Sequence, residues 1–209
     1  MLILSWNVHF QSLSGQLDNI VEAIRSAGPD VVTLQEVKTS LAGDMAPRLA
    51  NIGLVHAHWS GKKAPPTAMR ELPPIRRLKR KVYQCLIASR WPVKACGNRW
   101  RRRAPYPEML ARATVSVPDE HDIDVLTVHI PNGSGNGWRK IDTFNVLSAA
   151  LRRAIDSPRI LTGDFNEPQQ FRKSGQVVPF GATIHEDGGT SSQGSFSKFG
   201  VERPRIEWA

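Results

Sequence analysis

The chain has 209 residues, 40% of them hydrophobic and 22% charged, with a formal net charge of +9. That length suits one domain with a real core, and apolar runs no longer than a strand exclude a membrane-spanning helix. Cys85 and Cys96 form neither a CxxC pair nor a zinc spacing, so the reading is two free thiols in a reducing cytosol.

The charge is concentrated. From Lys62 to Arg103 stand 14 Lys and Arg against one acid, Glu71, a local +13 that leaves −4 for the rest. Such a region favours a polyanionic partner: nucleic acid first, an anionic membrane or phosphorylated ligand second. The alternative is a solvated charge run. The N-terminus, Met-Leu-Ile-Leu-Ser-Trp-Asn, lacks the basic and long apolar regions of a signal peptide, so a cytoplasmic protein, monomeric by default, is expected.

In chain order, Leu2 to Val8 is predicted as a strand, with Trp6 and Val8 on one face and Ser5, Asn7 and His9 on the other. Leu17, Ile20, Val21 and Ile24 recur at helical spacing, so a helix is expected from about Ser14, its N-cap, to Ala27, stopped by Gly28-Pro29. A strand, Val31 to Gln35, then delivers Glu36. Strand, helix, strand opens an α/β domain. A second helix is expected from Ala42 to Asn51, weakened by Pro47, and a strand from Leu54 to Trp59.

Lys62 to Lys81, with four prolines, reads as an exposed basic insertion of about residues 60–81. Strands follow at Val82 to Ser89 and Val93 to Cys96. Asn98 to Pro107 interleaves Arg99, Arg101, Arg102 and Arg103 with Trp100 and Tyr106, a pattern that suits phosphates and unpaired bases or ordinary cation–π packing. A hairpin is expected from Met109 to Val117 and Ile123 to Ile130. The longest helix, Trp138 to Ile155, carries Ile141, Phe144, Leu147, Leu151 and Ile155 on one face. Ile160 and Leu161 make a buried strand ended by Gly163 and Pro168. Gln169 to Ser197 reads as a mobile excursion with little regular structure, and Arg205 to Trp208 as the start of another strand.

Five segments end a strand in a polar residue: Asn7, Glu36, His129 with Asn132, Asp164 with Asn166, and Glu207. Ligands of α/β folds bind where strand ends converge. In an extended chain Asp164 and Asn166 share a side, roughly 7 Å apart, where a carboxylate beside an amide suits a hard cation and a water or phosphate oxygen. Each residue also has a plainer reading: an Asx turn at Asp164 and Asn166, a turn cap at Asn7, a helix-start acid at Glu36, a satisfied core histidine at His129.

Ser5-Trp6-Asn7-Val8, Leu34-Gln35-Glu36-Val37, Thr127-Val128-His129-Ile130-Pro131-Asn132 and Leu161-Thr162-Gly163-Asp164-Phe165-Asn166, in that order, resemble the endonuclease/exonuclease/phosphatase superfamily from Met1 to Trp208. The resemblance implies a DNase I-like four-layer α/β/β/α sandwich of two mixed sheets, one domain over residues 1–209, and Mg²⁺ or Mn²⁺ as cofactor. It implies that Asn7 and Glu36 hold the ion, and that Asp164 activates water and binds a second metal. Asn166 would bond that water or a phosphate oxygen, His129 would lie near the leaving group, and Asn132 would help hold the phosphate. The basic residues Arg76, Arg77, Arg80, Arg99, Trp100, Arg101 and Arg102 are the candidate nucleic-acid contacts.

The sequence departs from the superfamily at its end. The superfamily's catalytic strand closes in Ser-Asp-His. Here Glu207 replaces the Asp, only Trp208 and Ala209 follow, and His185 stands in a non-matching loop, so the final strand is expected to be missing. Either the chain stops short of its natural end or the protein works without that His. The expected function is metal-dependent phosphodiester hydrolysis of DNA or RNA. The alternatives are a phosphatase or phosphodiesterase for a small or lipid phosphate, and a non-catalytic nucleic-acid-binding member.

Overall fold

A computed structural model describes residues 1–9, 16–61, 83–153 and 155–166, and short backbone stretches between 170 and 191. Strands β1 (Ile3–Asn7), β2 (Val31–Lys38), β3 (His56–Trp59) and β4 (Tyr83–Ser89) form one sheet in the order β1-β2-β4-β3. Strands β5 (Val93–Ala95), β6 (Leu110–Val115), β7 (Ile123–His129) and β8 (Arg159–Asp164) form the other in chain order. Each sheet is mixed, with one parallel pair at an edge: β1 beside β2, and β7 beside β8.

A helix crosses over between the partners of each parallel pair, as parallel connections require. Helix α1 (Leu17–Ala27) joins β1 to β2. With α2 (Ala42–Ala50) it covers the first sheet, Ile20, Val21, Ile24, Met45 and Leu49 packing on Leu34, Val37 and Leu86. Helix α3 (Gly133–Leu151) joins β7 to β8 and packs Phe144, Leu147 and Ala150 on Leu110, Leu126 and Val128. The inner faces of the sheets meet through Val31, Cys85, Ile87, Ala111, Ala113 and Val125. The result is the four-layer sandwich.

Element boundaries differ from expectation for local reasons. Gly28, at φ 60, closes α1 by donating to Ile24 O and Arg25 O. Helix α2 tolerates Pro47 because the ring lies on the exposed face and costs one backbone bond in a short helix. Helix α3 starts five residues early, at Gly133, through glycines whose weak helix propensity hid it. It also ends early, at Leu151. There Arg159 Nη1 accepts nothing and donates to Ala150 O, Leu151 O and Arg153 O, satisfying the last carbonyls.

Gln169 to Ser197, predicted to hold little regular structure, carries two short antiparallel pairs, β9 (Gln170–Lys173) with β10 (Gln176–Pro179) and β11 (Thr183–Ile184) with β12 (Thr190–Ser191). Ser14, the basic insertion, His185 and the expected strand at Arg205 to Trp208 lie outside the described residues. No helix among the described residues is long and apolar enough to cross a membrane.

Candidate active site

The two parallel pairs are stacked with their C-terminal ends together, and a polar seam leads up to those ends. Thr33 Oγ1 lies 2.9 Å from Thr162 Oγ1 on the opposite sheet. Gln35 Nε2 donates to Thr127 Oγ1 at 2.9 Å and to Ser5 Oγ at 3.3 Å. These bonds satisfy groups that burial would otherwise leave costly, and they hold the two sheets in register beneath the site.

Glu36 does not follow the strand, as expected, but lies inside β2. Leu34 pairs with Leu86 and Val37 with Gln84, so two residues, Gln35 and Glu36, oppose Cys85 alone. Glu36 takes the left-handed conformation, φ 59, which a bulge permits and a regular strand does not. The extra residue keeps Val37 in the helix-covered core while Glu36 turns to the site. Its Oε1 lies 3.3 Å from Asn7 Nδ2, a hydrogen bond, and 3.4 Å from His129 Nε2.

Gly163 does not end its strand either. It pairs with Val128 inside the β7–β8 ladder at φ 138, and a Cβ there would sit 2.0 Å from Val128 O. Only glycine allows this approach, which sets the position of Asp164 on the next residue. The chain then turns at Asn166, φ 49, whose backbone N–H donates to Asp164 Oδ1 at 2.8 Å. The extended 7 Å spacing is therefore replaced by an Asx turn, and the turn is part of the site. With Oδ1 held, Asp164 Oδ2 accepts from Asn7 Nδ2 at 2.7 Å and lies 3.8 Å from His129 Nε2.

Asn166 Nδ2 donates to Ile130 O at 2.7 Å and faces His129 Nε2 at 3.1 Å. Five expected residues, Asn7, Glu36, His129, Asp164 and Asn166, thus meet. Asn132 is exposed in the turn before α3. Glu207, Arg76, Arg77 and Arg80 lie outside the described residues.

Two neighbours escaped the sequence reading. Tyr83 opens β4 with its ring 5.4 Å from that of His129. Burial, and then the Glu36 carboxylate, push its phenol up to about 12, so it stays protonated. Lys140 of α3 donates to Asn166 O at 3.0 Å. Neither has a local signal: Tyr83 is an aromatic at a strand start, and Lys140 is one polar position of an amphipathic helix.

Two expected contacts are corrected. Trp100 is buried among Phe144, Leu147 and Phe165. Arg101 is 1% exposed, and its Nη1 donates to Leu110 O at 2.9 Å and to Pro107 O. Burial pulls its guanidinium down to about 10, against the opposing influence of Cys85 and Glu108. Both side chains are fixed inward and cannot reach a ligand, whereas Arg99 and Arg102 are exposed.

The donor set suits a hard divalent cation. Two carboxylates converge on the same amide and ring nitrogen, and ions of the Mg²⁺ type bind through one or two carboxylates and retain water. Among the described residues no group of three or more His, Cys, Asp and Glu is arranged to hold a metal, so an ion would rest on Glu36, Asp164 and water. Asn7 presents Nδ2 here while its Oδ1 accepts His9 N–H at 2.9 Å, and it would become a ligand only with its amide reversed.

The sequence matches the Endonuclease/Exonuclease/phosphatase family over residues 4–197. The chain belongs to this family. Solved structures share its DNase I-like fold. An AP endonuclease from Archaeoglobus fulgidus is 21% identical, with a TM-score of 0.58 over 79% of this chain and 58% of its own. TDP2 from D. rerio, complexed with single-strand DNA product, is 17% identical, with 0.58 over 80% and 61%. ANGEL2, a 2′,3′-cyclic phosphatase, is 18% identical, with 0.55 over 78% and 52%. This family member therefore spans between about half and two-thirds of these chains. No curated protein sequence matches it significantly.

Proposed function

We propose that this family member is a divalent-cation-dependent phosphodiester hydrolase acting on nucleic acid. The observation that carries this reading is the convergence of Glu36 and Asp164, from different sheets, on one amide and one imidazole. Glu36 and Asp164 would hold Mg²⁺ or Mn²⁺, which when bound neutralises phosphate charge and makes water more acidic. Asp164 Oδ2 would take the proton of the attacking water, and the bond from Asn166 N–H to Oδ1 keeps that carboxylate from swinging away. Asn166 Nδ2 is anchored by its bond to Ile130 O and stands 3.1 Å from His129 Nε2, so the two side chains would be positioned beside the scissile phosphate before it binds.

The test uses labelled single- and double-stranded DNA and RNA with Mg²⁺, Mn²⁺ or EDTA. The expected result is cleavage that EDTA abolishes and that Asp164→Ala lowers by ~10³-fold or more, since residues acting as a unit fail together. Undiminished cleavage by Asp164→Ala, or turnover of a phosphomonoester with no cleavage of any strand, overturns the reading. Salt-sensitive binding with no hydrolysis under any condition makes this chain a binding member of the family.

A further inference from the structure

The segment between β5 and β6 carries charge that the catalytic cluster does not use. From Gly97 to Leu110 stand four arginines and one glutamate. Trp100, Arg101 and Tyr106 are buried and pin the backbone, and Arg99, Arg102 and Arg103 are exposed around them. Adjacent residues of α3 tie this loop to the site. Arg139 donates to the Tyr106 hydroxyl at 3.1 Å and lies over its ring, and Lys140 donates to Asn166 O at 3.0 Å. Two side-chain lengths and one Cα step place Tyr106 within roughly 20 Å of Asn166, about six nucleotide steps at ~3.4 Å of rise per strand residue.

We infer that Arg99, Arg102 and Arg103 form a binding site for the phosphate backbone of a polymeric nucleic acid whose scissile bond lies at the Glu36–Asp164 cluster. The inference rests on the phosphodiester reading and names its substrate as a polymer. The loop's aromatic rings face inward, so it offers no platform for stacking bases. Its grip is electrostatic and indifferent to sequence. A lipid surface is the poorer match. The exposed large apolar side chains among the described residues are Met1, Leu2, Val55 and Ile155, none of them in the loop, whereas interfacial binding sinks apolar side chains into the headgroup boundary.

The test measures binding of labelled oligonucleotides by fluorescence anisotropy in the Asp164→Ala background, so it needs no turnover. Arg99→Ala, Arg102→Ala and Arg103→Ala together are expected to weaken binding by ~10-fold or more near 0.1 M salt. The slope of log K against log salt should fall by about 2 to 3 for three lost phosphate contacts. Oligo-dA and oligo-dT should lose affinity alike. Removing three exposed arginines elsewhere, Arg25→Ala, Arg48→Ala and Arg90→Ala, controls for net charge. The inference is overturned if the loop variant binds no more weakly than this control, if its salt slope is unchanged, or if the loss is greater for phosphatidylserine vesicles than for oligonucleotides. Loop-dependent binding in a protein that cleaves nothing would sink the catalytic reading and leave only the loop's grip on the phosphate backbone standing.

Discussion

The β7–β8 ladder holds a carboxylate at each end, and the two are treated in opposite ways. At the start, Asp124 pairs in register with Arg159 and is 5% exposed. Arg112 grips it with two bonds, 2.7 and 2.9 Å, and Arg159 adds a third at 2.6 Å. At the finish, Asp164 pairs in register with His129 and is 31% exposed. Its partners are amide N–H groups and a ring nitrogen, and among the described residues no Lys or Arg pairs with it. A charge-balanced carboxylate locks two strands and the end of α3 together. A carboxylate facing Glu36 across the sheets, with amides for company, is arranged for a ligand that brings its own positive charge.

The sharpest way to break this comparison is to remove each carboxylate. Glu36→Gln should lower metal-dependent cleavage by ~10²-fold or more, because it removes a charge on which an ion would rest, measured as kcat with saturating Mg²⁺. Asp164→Ala should lower it further and yet leave metal-free folding stability within about 1 kcal/mol in urea titrations, its lost bonds being offset by relieved repulsion. Asp124→Ala should invert the pattern. It leaves two partly buried guanidinium groups without their carboxylate and should cost ~3 kcal/mol, while kcat per folded molecule stays unchanged. Equal stability losses at Asp124 and Asp164 would dissolve the distinction.

Gly163→Ala tests what positions the finishing end. A methyl group against Val128 O should cost ~2–3 kcal/mol of backbone strain and reduce kcat as Asp164 shifts. A variant with normal kcat would show that the close approach serves folding alone. The smallest effect concerns Tyr83. Its folded pKa, about 12, lies above the ordinary 10.0, so the folded state holds that proton more tightly. Its contribution is complete below about pH 10 and is lost as pH rises towards 12. Unfolding titrations across that window should slope less in Tyr83→Phe. Cys85, also raised by burial, begins to contribute at lower pH and should be unaffected.

Much of this was legible along the chain because it depends on neighbours in sequence. The 3.6-residue spacing of Leu17, Ile20, Val21 and Ile24 and the apolar runs of β4 and β7 dictate which faces are buried. Polar residues after such runs gather where strand ends converge, so Asn7, Glu36, His129, Asp164 and Asn166 could be named before they were seen together. Arg101 shows the limit: an arginine in a basic stretch looks the same whether it meets solvent or the carbonyls of Pro107 and Leu110.

Sequence by itself determined the α/β pattern, the family and the residue types at the strand ends, since these follow from local periodicity and motif. Only the tertiary structure decided that Glu36 sits in a bulge, that Gly163 presses on Val128, that Arg99 and Arg102 face water while Trp100 and Arg101 do not, and that Asp124 is paired with two arginines while Asp164, among the described residues, is paired with none. Those outcomes depend on which distant groups share a space, and the energies that settle them, desolvation and Coulomb attraction, act through space rather than along the chain.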